Sequence, residues 1–168
     1  MLAPRLAALA ALLSAASGAP LLMMAASRRP EGWQSSQPMP TARLGLASAS
    51  DGARIYALGG DEANVNTAAA ESIGIIEGDW RQERDMPLAR WQHAAAYHDR
   101  RVYAVGGFEG NTPLDSLVSK DVESGEWREE MPMPTGRALL SAAVVGDRIY
   151  VMGGRIIDFL APVVSGAL

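Results

Sequence analysis

The sequence predicts an all-β protein built from repeated four-stranded antiparallel sheets, and three observations carry that expectation. Nearly the same seven residues are written three times: RIYALGG at 54–60, RVYAVGG at 101–107 and RIYVMGG at 148–154. Four markers keep one interval of 47 residues without insertion. They are the glycine pairs Gly59-Gly60, Gly106-Gly107 and Gly153-Gly154, the tryptophans Trp33, Trp80 and Trp127, the Met-Pro pairs that begin at Met39, Met86 and Met133, and the arginines Arg43, Arg90 and Arg137. Small residues hold the segment ahead of each phrase: Ala47-Ser48-Ala49, Ala94-Ala95-Ala96 and Ser141-Ala142-Ala143. Self-similarity at a fixed period of this size marks a repeat architecture.

One unit reads in order from Arg90. WQHAAAY (91–97) is a first strand and HDR (98–100) a tight turn; RVYAVGG (101–107) is a second strand and FEGNTPLD (108–115) a longer loop. SLVSKD (116–121) is a third strand, VESGE (122–126) a turn and WREEM (127–131) a fourth strand. Short strands separated by turn residues pair as a small antiparallel sheet. The glycine pair ends the second strand where a side chain would obstruct the backbone or forbid the required φ.

Consecutive apolar residues in RIYALGG and RIYVMGG fit strands buried on both faces. The small residues of the first strand fit a crowded place where several sheets converge, such as the axis of a propeller. Sheets covered on both faces and narrowing toward an axis are blades.

The glycine pair ending at Gly107, then Trp127, Met133-Pro134 and Arg137, resembles the kelch repeat, and the resemblance runs from Trp33 to about Arg155. It implies a β-propeller with one four-stranded blade per repeat, usually an interaction scaffold. One departure is visible: Ile73 and Lys120 stand near the place where such repeats carry a tyrosine. No Trp-Asp pair closes a repeat, which disfavours blades of the WD type.

The ends differ from the repeats. Residues 1–26 carry one charge, Arg5, and a short apolar stretch followed by small residues, which reads as a secretory signal peptide or, uncleaved, as an N-terminal anchor. The chain beyond it is then secreted or periplasmic, or membrane-anchored. Residues 27–37 read as a linker, and 38–155 as a partial propeller with repeats near 43–89, 90–136 and 137–155. The tail 156–168 leaves the pattern and reads as the mark of a truncated, frameshifted or wrongly predicted gene. Bare blade faces at the two ends of such a stack would invite self-association.

In an up-and-down meander the entry to the first strand and the loop after the second share one side. That side collects Arg43, Arg90 and Arg137 with the long loops, about 61–71 and 108–116, and is where binding is expected. The arginines offer donors for a carboxylate, or serve the structure by pairing with backbone or carboxylates between blades. Trp91, the one tryptophan out of register, could stack on a sugar ring or fill space. The ligand-binding candidates are therefore Arg43, Arg90, Trp91 and Arg137, with a protein or carbohydrate as partner.

Little else suggests chemistry. The net charge is −4 without a basic stripe, which argues against nucleic acid. The chain has no cysteine, so disulfides, thiolate metal sites and a cysteine nucleophile are excluded. The same absence removes the crosslinked tyrosine–cysteine of copper galactose oxidases, among the enzymes that resemble kelch proteins. Sialic-acid mutarotases remain only as an analogy. His93 and His98, five apart, point to opposite faces of a strand and make no metal site. The expected function is an exported binding module or a fragment of one, with no cofactor and no catalytic group; the alternatives are a remnant of a sugar-processing enzyme of the mutarotase type and a non-functional truncated gene product.

Overall fold

The computed structural model describes residues 35–156. The leader-like segment, Trp33, most of the linker and all but the first residue of the divergent tail lie outside the described residues. The chain divides into Met1–Ser35 and Ser36–Leu168, and every described strand belongs to the second unit.

The described residues form strands and no helix. β1 (Ala47–Ser50), β2 (Arg54–Leu58), β5 (Ala70–Gly74) and β6 (Trp80–Gln82) make one four-stranded antiparallel sheet in that order. The small hairpin of β3 (Asp61–Glu62) and β4 (Val65–Asn66) stands in the loop between β2 and β5. The second blade repeats the plan. β7 (Ala94–His98), β8 (Arg101–Val105), β11 (Leu117–Asp121) and β12 (Trp127–Glu129) pair in sequence order, and β9 (Phe108–Glu109) with β10 (Thr112–Pro113) makes the inserted hairpin. β13 (Ala138–Val145) and β14 (Arg148–Arg155) form the third sheet.

Register is copied along with sequence. Ala49 faces Tyr56, Tyr56 faces Ser72 and Ser72 faces Arg81; 47 residues later Ala96 faces Tyr103, Tyr103 faces Ser119 and Ser119 faces Arg128. Turn side chains hold this register in place. Asp121 accepts the backbone N–H of Ser124 at 2.9 Å and of Glu123 at 3.0 Å, and these donors hold its carboxyl below the ordinary aspartate range. Gly125 closes the same turn at φ 74°.

The apolar core lies between blades. Tyr56, Leu58, Ala70 and Met86 of the first repeat pack on Val102, Ala104 and Val118 of the second. Ala94 and Val105 pack on Leu140 of the third. The small first strands sit side by side, with β7 against both β1 and β13, as convergence toward an axis requires.

The expectation of burial on both faces needs correction for the third phrase. Tyr56 and Leu58 are 4% and 0% exposed, but their counterparts Tyr150 and Met152 are 47% and 54% exposed. The phrase is the same; the difference is that no further blade covers β14 among the described residues. Two smaller corrections concern boundaries. His98 closes β7 instead of opening the turn, and β5 already begins at Ala70, inside the stretch expected as loop.

All four sequence markers prove to be contact points between neighbouring repeats or between a connector and its loop. Trp80 Nε1 donates to Gln37 O at 3.1 Å, and Trp127 Nε1 to Arg84 O at 2.8 Å, the same contact one repeat on. Gly60 N donates to Arg90 O and Gly107 N to Arg137 O, at 2.8 and 2.9 Å. The Met86 N–H donates to Ala68 O and that of Met133 to Asp115 O, so each connector is tied to its own long loop just before a proline that has no N–H to give.

A further series runs around the axis: Gln92 N donates to Gly45 O at 2.7 Å, and Leu139 N to Gln92 O at 2.8 Å. All three residues are left-handed, with φ of 62°, 50° and 58°. A left-handed conformation costs an L-residue about 1–2 kcal/mol, and glycine carries an entropic cost of about 0.5–1 kcal/mol. Leu139 is half-exposed, so little packing is lost with its side chain. Leu139→Gly is therefore expected to stabilise the fold by about 0.5 kcal/mol. The midpoint of urea unfolding measures this, and a lowered midpoint would contradict it.

Candidate ligand-binding face

The long-loop face is organised by its two hairpins. Leu44 and Asp61 exchange backbone hydrogen bonds at 3.0 and 2.8 Å, which ties β3 to the entrance of β1. Trp91 and Phe108 do the same for β9 and the entrance of β7, at 3.1 and 2.9 Å. The hairpins are also tied to each other, because the Gly110 N–H donates to Asn66 Oδ1 at 2.6 Å. The result is one connected rim with exposed tips at Glu62–Val65 and Glu109–Thr112.

Trp91 is half-buried in this rim. Its ring lies 6.0 Å from that of Phe108, tilted by 42°, and its Nε1 donates to Gly110 O at 3.2 Å. Phe108 takes the position that Asp61 holds one repeat earlier and Trp91 that of Leu44, so an aromatic pair stands where the first repeat has a leucine and an aspartate.

The three arginines share a repeat position and differ in chemistry. Arg43 makes a buried ion pair with Glu71 at 2.6 Å and donates to Ala57 O at 3.1 Å. Thr41 donates to the other Glu71 oxygen at 2.9 Å. This arginine is committed to its own sheet. Arg137 donates to Gly153 O at 2.8 Å.

Arg90 is fully buried and takes only neutral acceptors: Gly106 O at 3.2 Å, Ser116 O at 3.3 Å and Ser116 Oγ at 3.1 Å. Its Nε has no hydrogen-bond partner among the described residues. Burial pushes its pKa down to about 10, partly opposed by the charge of Glu109. The repeat position that supplies Glu71 in the first blade holds Val118 in the second.

His93, three residues on, is buried with neither ring nitrogen paired among the described residues. Burial first, and the Arg90 charge second, lower its pKa to about 3, so the ring is neutral at physiological pH. It packs where a side chain on Gly59 or Gly107 would collide with it. His98 stands elsewhere, at the far end of β7. Among the described residues no three His, Asp or Glu side chains stand together as metal ligands would.

A cavity of about 310 Å³ opens beside Arg90, lined by Leu88, Ser116, Leu117, Val118 and Glu130 among others. Residues 89–134 match the family model of the Kelch motif. The second blade is a kelch repeat. No curated protein matches the chain. The matched span begins one residue before Arg90 and runs through both β12 and Met133, so it contains the hairpin of β9 and β10, Trp91 and all of the cavity lining except Pro87 and Leu88.

Of the residues that sequence reasoning assigned to this side, the side chains of Arg43 and Arg90 are buried, Trp91 is half-buried in the rim and Arg137 donates to Gly153 O. Sequence reasoning did not separate Arg90 from Arg43. The signal was present in the alignment of the repeats, where Glu71 falls opposite Val118 and Thr41 opposite Leu88.

Proposed function

We propose that the chain is an exported kelch-repeat module that binds a protein or glycan through its long-loop face. The observation that carries this reading is the rim: two hairpins, each bridged to its own blade and joined to each other through Asn66 and Gly110. Loops held this way lose little entropy on binding, and loops carried on a rigid scaffold are where recognition concentrates. Export follows in the same reading from the composition of residues 1–26.

Arrays of immobilised glycans and of peptides, probed with the chain, test the proposal. The expected result is binding to members of one class that is lost in Glu62→Arg and Asn111→Trp. Both residues are exposed at the hairpin tips, so thermal unfolding of these variants should match the parent. Silence on both arrays, or binding that survives both substitutions, overturns it.

A further inference from the structure

We infer that the uncovered face of the third sheet is a docking surface for a second copy of this chain, which meets it with the uncovered face of its own first blade. The inference goes beyond the binding-module reading and does not involve the hairpin tips.

The two internal joints set the pattern. Successive side chains of a strand point to opposite faces. In the first blade Tyr56 and Leu58 point toward the second and share a core cluster with Val102 and Ala104. Val102, Lys120 and Trp127 lie opposite one another across the second blade, on the face turned to the first. Val122 and Trp127 pack against the same cluster, and the Lys120 ammonium stands 5.7 Å from the centre of the Tyr56 ring. The next joint repeats the arrangement. Val105, the counterpart of Leu58, packs with Leu140, and Val151, the counterpart of Ala104, packs against them.

Both halves of such a joint are uncovered at the two ends of the stack. Tyr150 and Met152 are the counterparts of Tyr56 and Leu58, and both are exposed. Ala143 and Ser141 lie opposite them on β13 and are exposed too, whereas Leu140, Ala142 and Val151 on the other face pack against the second blade. At the other end Ile55, Ile73 and Trp80 lie opposite one another across the first blade, 47 residues before Val102, Lys120 and Trp127. With Ile75, the counterpart of Val122, they line a cavity of about 390 Å³. That cavity stands where the second blade receives Tyr56.

The chemistry of the cavity suits Tyr150. Lys120 takes a carboxylate from the preceding repeat, which Glu83 supplies. Ile73 holds the same position in the first blade and makes no such demand. Trp80 Nε1 already donates to Gln37 O, and the Glu71 carboxylate on the same face is engaged by Arg43. Neither is left without a partner when an aromatic ring docks beside it. The two faces are different surfaces of one chain, so the contact is heterologous and joins copies head to tail.

Sedimentation velocity of the full chain over a range of concentrations tests the inference. The parent should form species larger than a monomer, in rising proportion with concentration. Ile55→Glu alters the cavity and Tyr150→Glu removes the ring that fills it. Each puts a charge into an apolar contact and should weaken association at least about tenfold. Mixed in equal amounts, the two variants bring one intact face each and should form a dimer that grows no further.

Both substituted residues are exposed, so urea unfolding should find each variant folded. Ile75→Glu and Met152→Glu, exposed on the same two faces, replace a variant that is not. A parent that stays monomeric at every concentration overturns the inference, and so does a mixture of folded variants that stays monomeric. Undiminished association of Tyr150→Glu alone places the contact elsewhere and overturns it as well.

Discussion

Gly106→Ala is expected to destabilise the protein by about 3 kcal/mol or more, while Gly153→Ala costs about 1 kcal/mol. Both glycines end the same written phrase, and both are left-handed, at φ 63° and 72°. They differ in what a side chain would meet. A Cβ on Gly106 would stand 2.4 Å from Arg137 O, a backbone atom of the next repeat; a Cβ on Gly153 meets nothing within 4 Å. The first substitution must push a neighbouring strand entrance away and break the Gly107–Arg137 hydrogen bond beside it. The second pays only for its own φ. Urea unfolding followed by tryptophan fluorescence measures both, and equal losses would show that the glycine pair serves local conformation instead of contact between repeats.

The second large effect concerns Lys120, which the sequence marks as a departure from the family pattern at a tyrosine position. Its side chain is 1% exposed, ion-paired with Glu83 of the preceding repeat, and its ammonium lies 5.7 Å from the centre of the Tyr56 ring. Glu83 also accepts from Ser72 at 2.5 Å. Removing one partner of a buried pair leaves the other charge uncompensated, so Glu83→Gln should cost about 3 kcal/mol. Replacing both, as Glu83→Leu with Lys120→Met, should cost less than Glu83→Gln alone.

The pair also sets a pH dependence. Burial acts to raise the Glu83 carboxyl, but donation from Lys120 and then Ser72 outweighs it and holds the pKa below the ordinary value of 4.5. A depressed folded-state pKa contributes stability that is fully present above the unfolded value and lost as pH falls through the folded one. The parent should therefore lose stability below pH 4.5 more steeply than Glu83→Gln does. Parallel acid titrations of the two proteins would remove the pair from the account.

The repeat length and the strand order within a blade were legible in the sequence for a physical reason. The first two glycine pairs leave room for a backbone group that a Cβ would strike, and Trp80 with Trp127 and Arg90 with Arg137 donate from their side chains to backbone carbonyls at a set offset, so those residue types cannot drift without a clash or a lost bond. Side-chain chemistry between blades was not legible, because it depends on which residues happen to face one another. Lys120 reads as an imperfect packing residue until Glu83 is seen 37 positions earlier in chain order and beside it in space. Arg43 and Arg90 read alike until position 71 is compared with position 118. The exposure of Tyr150 is not written in the phrase RIYVMGG itself, because burial of that strand depends on a neighbour; it was foreshadowed only by the bare end faces that the broken repeat pattern implies.

The axial series from Gly45 through Gln92 to Leu139 bears on how such a chain can grow. Each link joins a residue to its own copy, 47 positions away, by the same donor and the same acceptor. A segment duplicated whole therefore arrives with one N–H for the old end and one carbonyl for the next, and leaves no buried backbone group orphaned at the join. A duplication of any other length would break the offset for the axial bonds, the tryptophan struts and the glycine contacts together. The axial bonds therefore favour whole blades as the unit in which such a stack is extended.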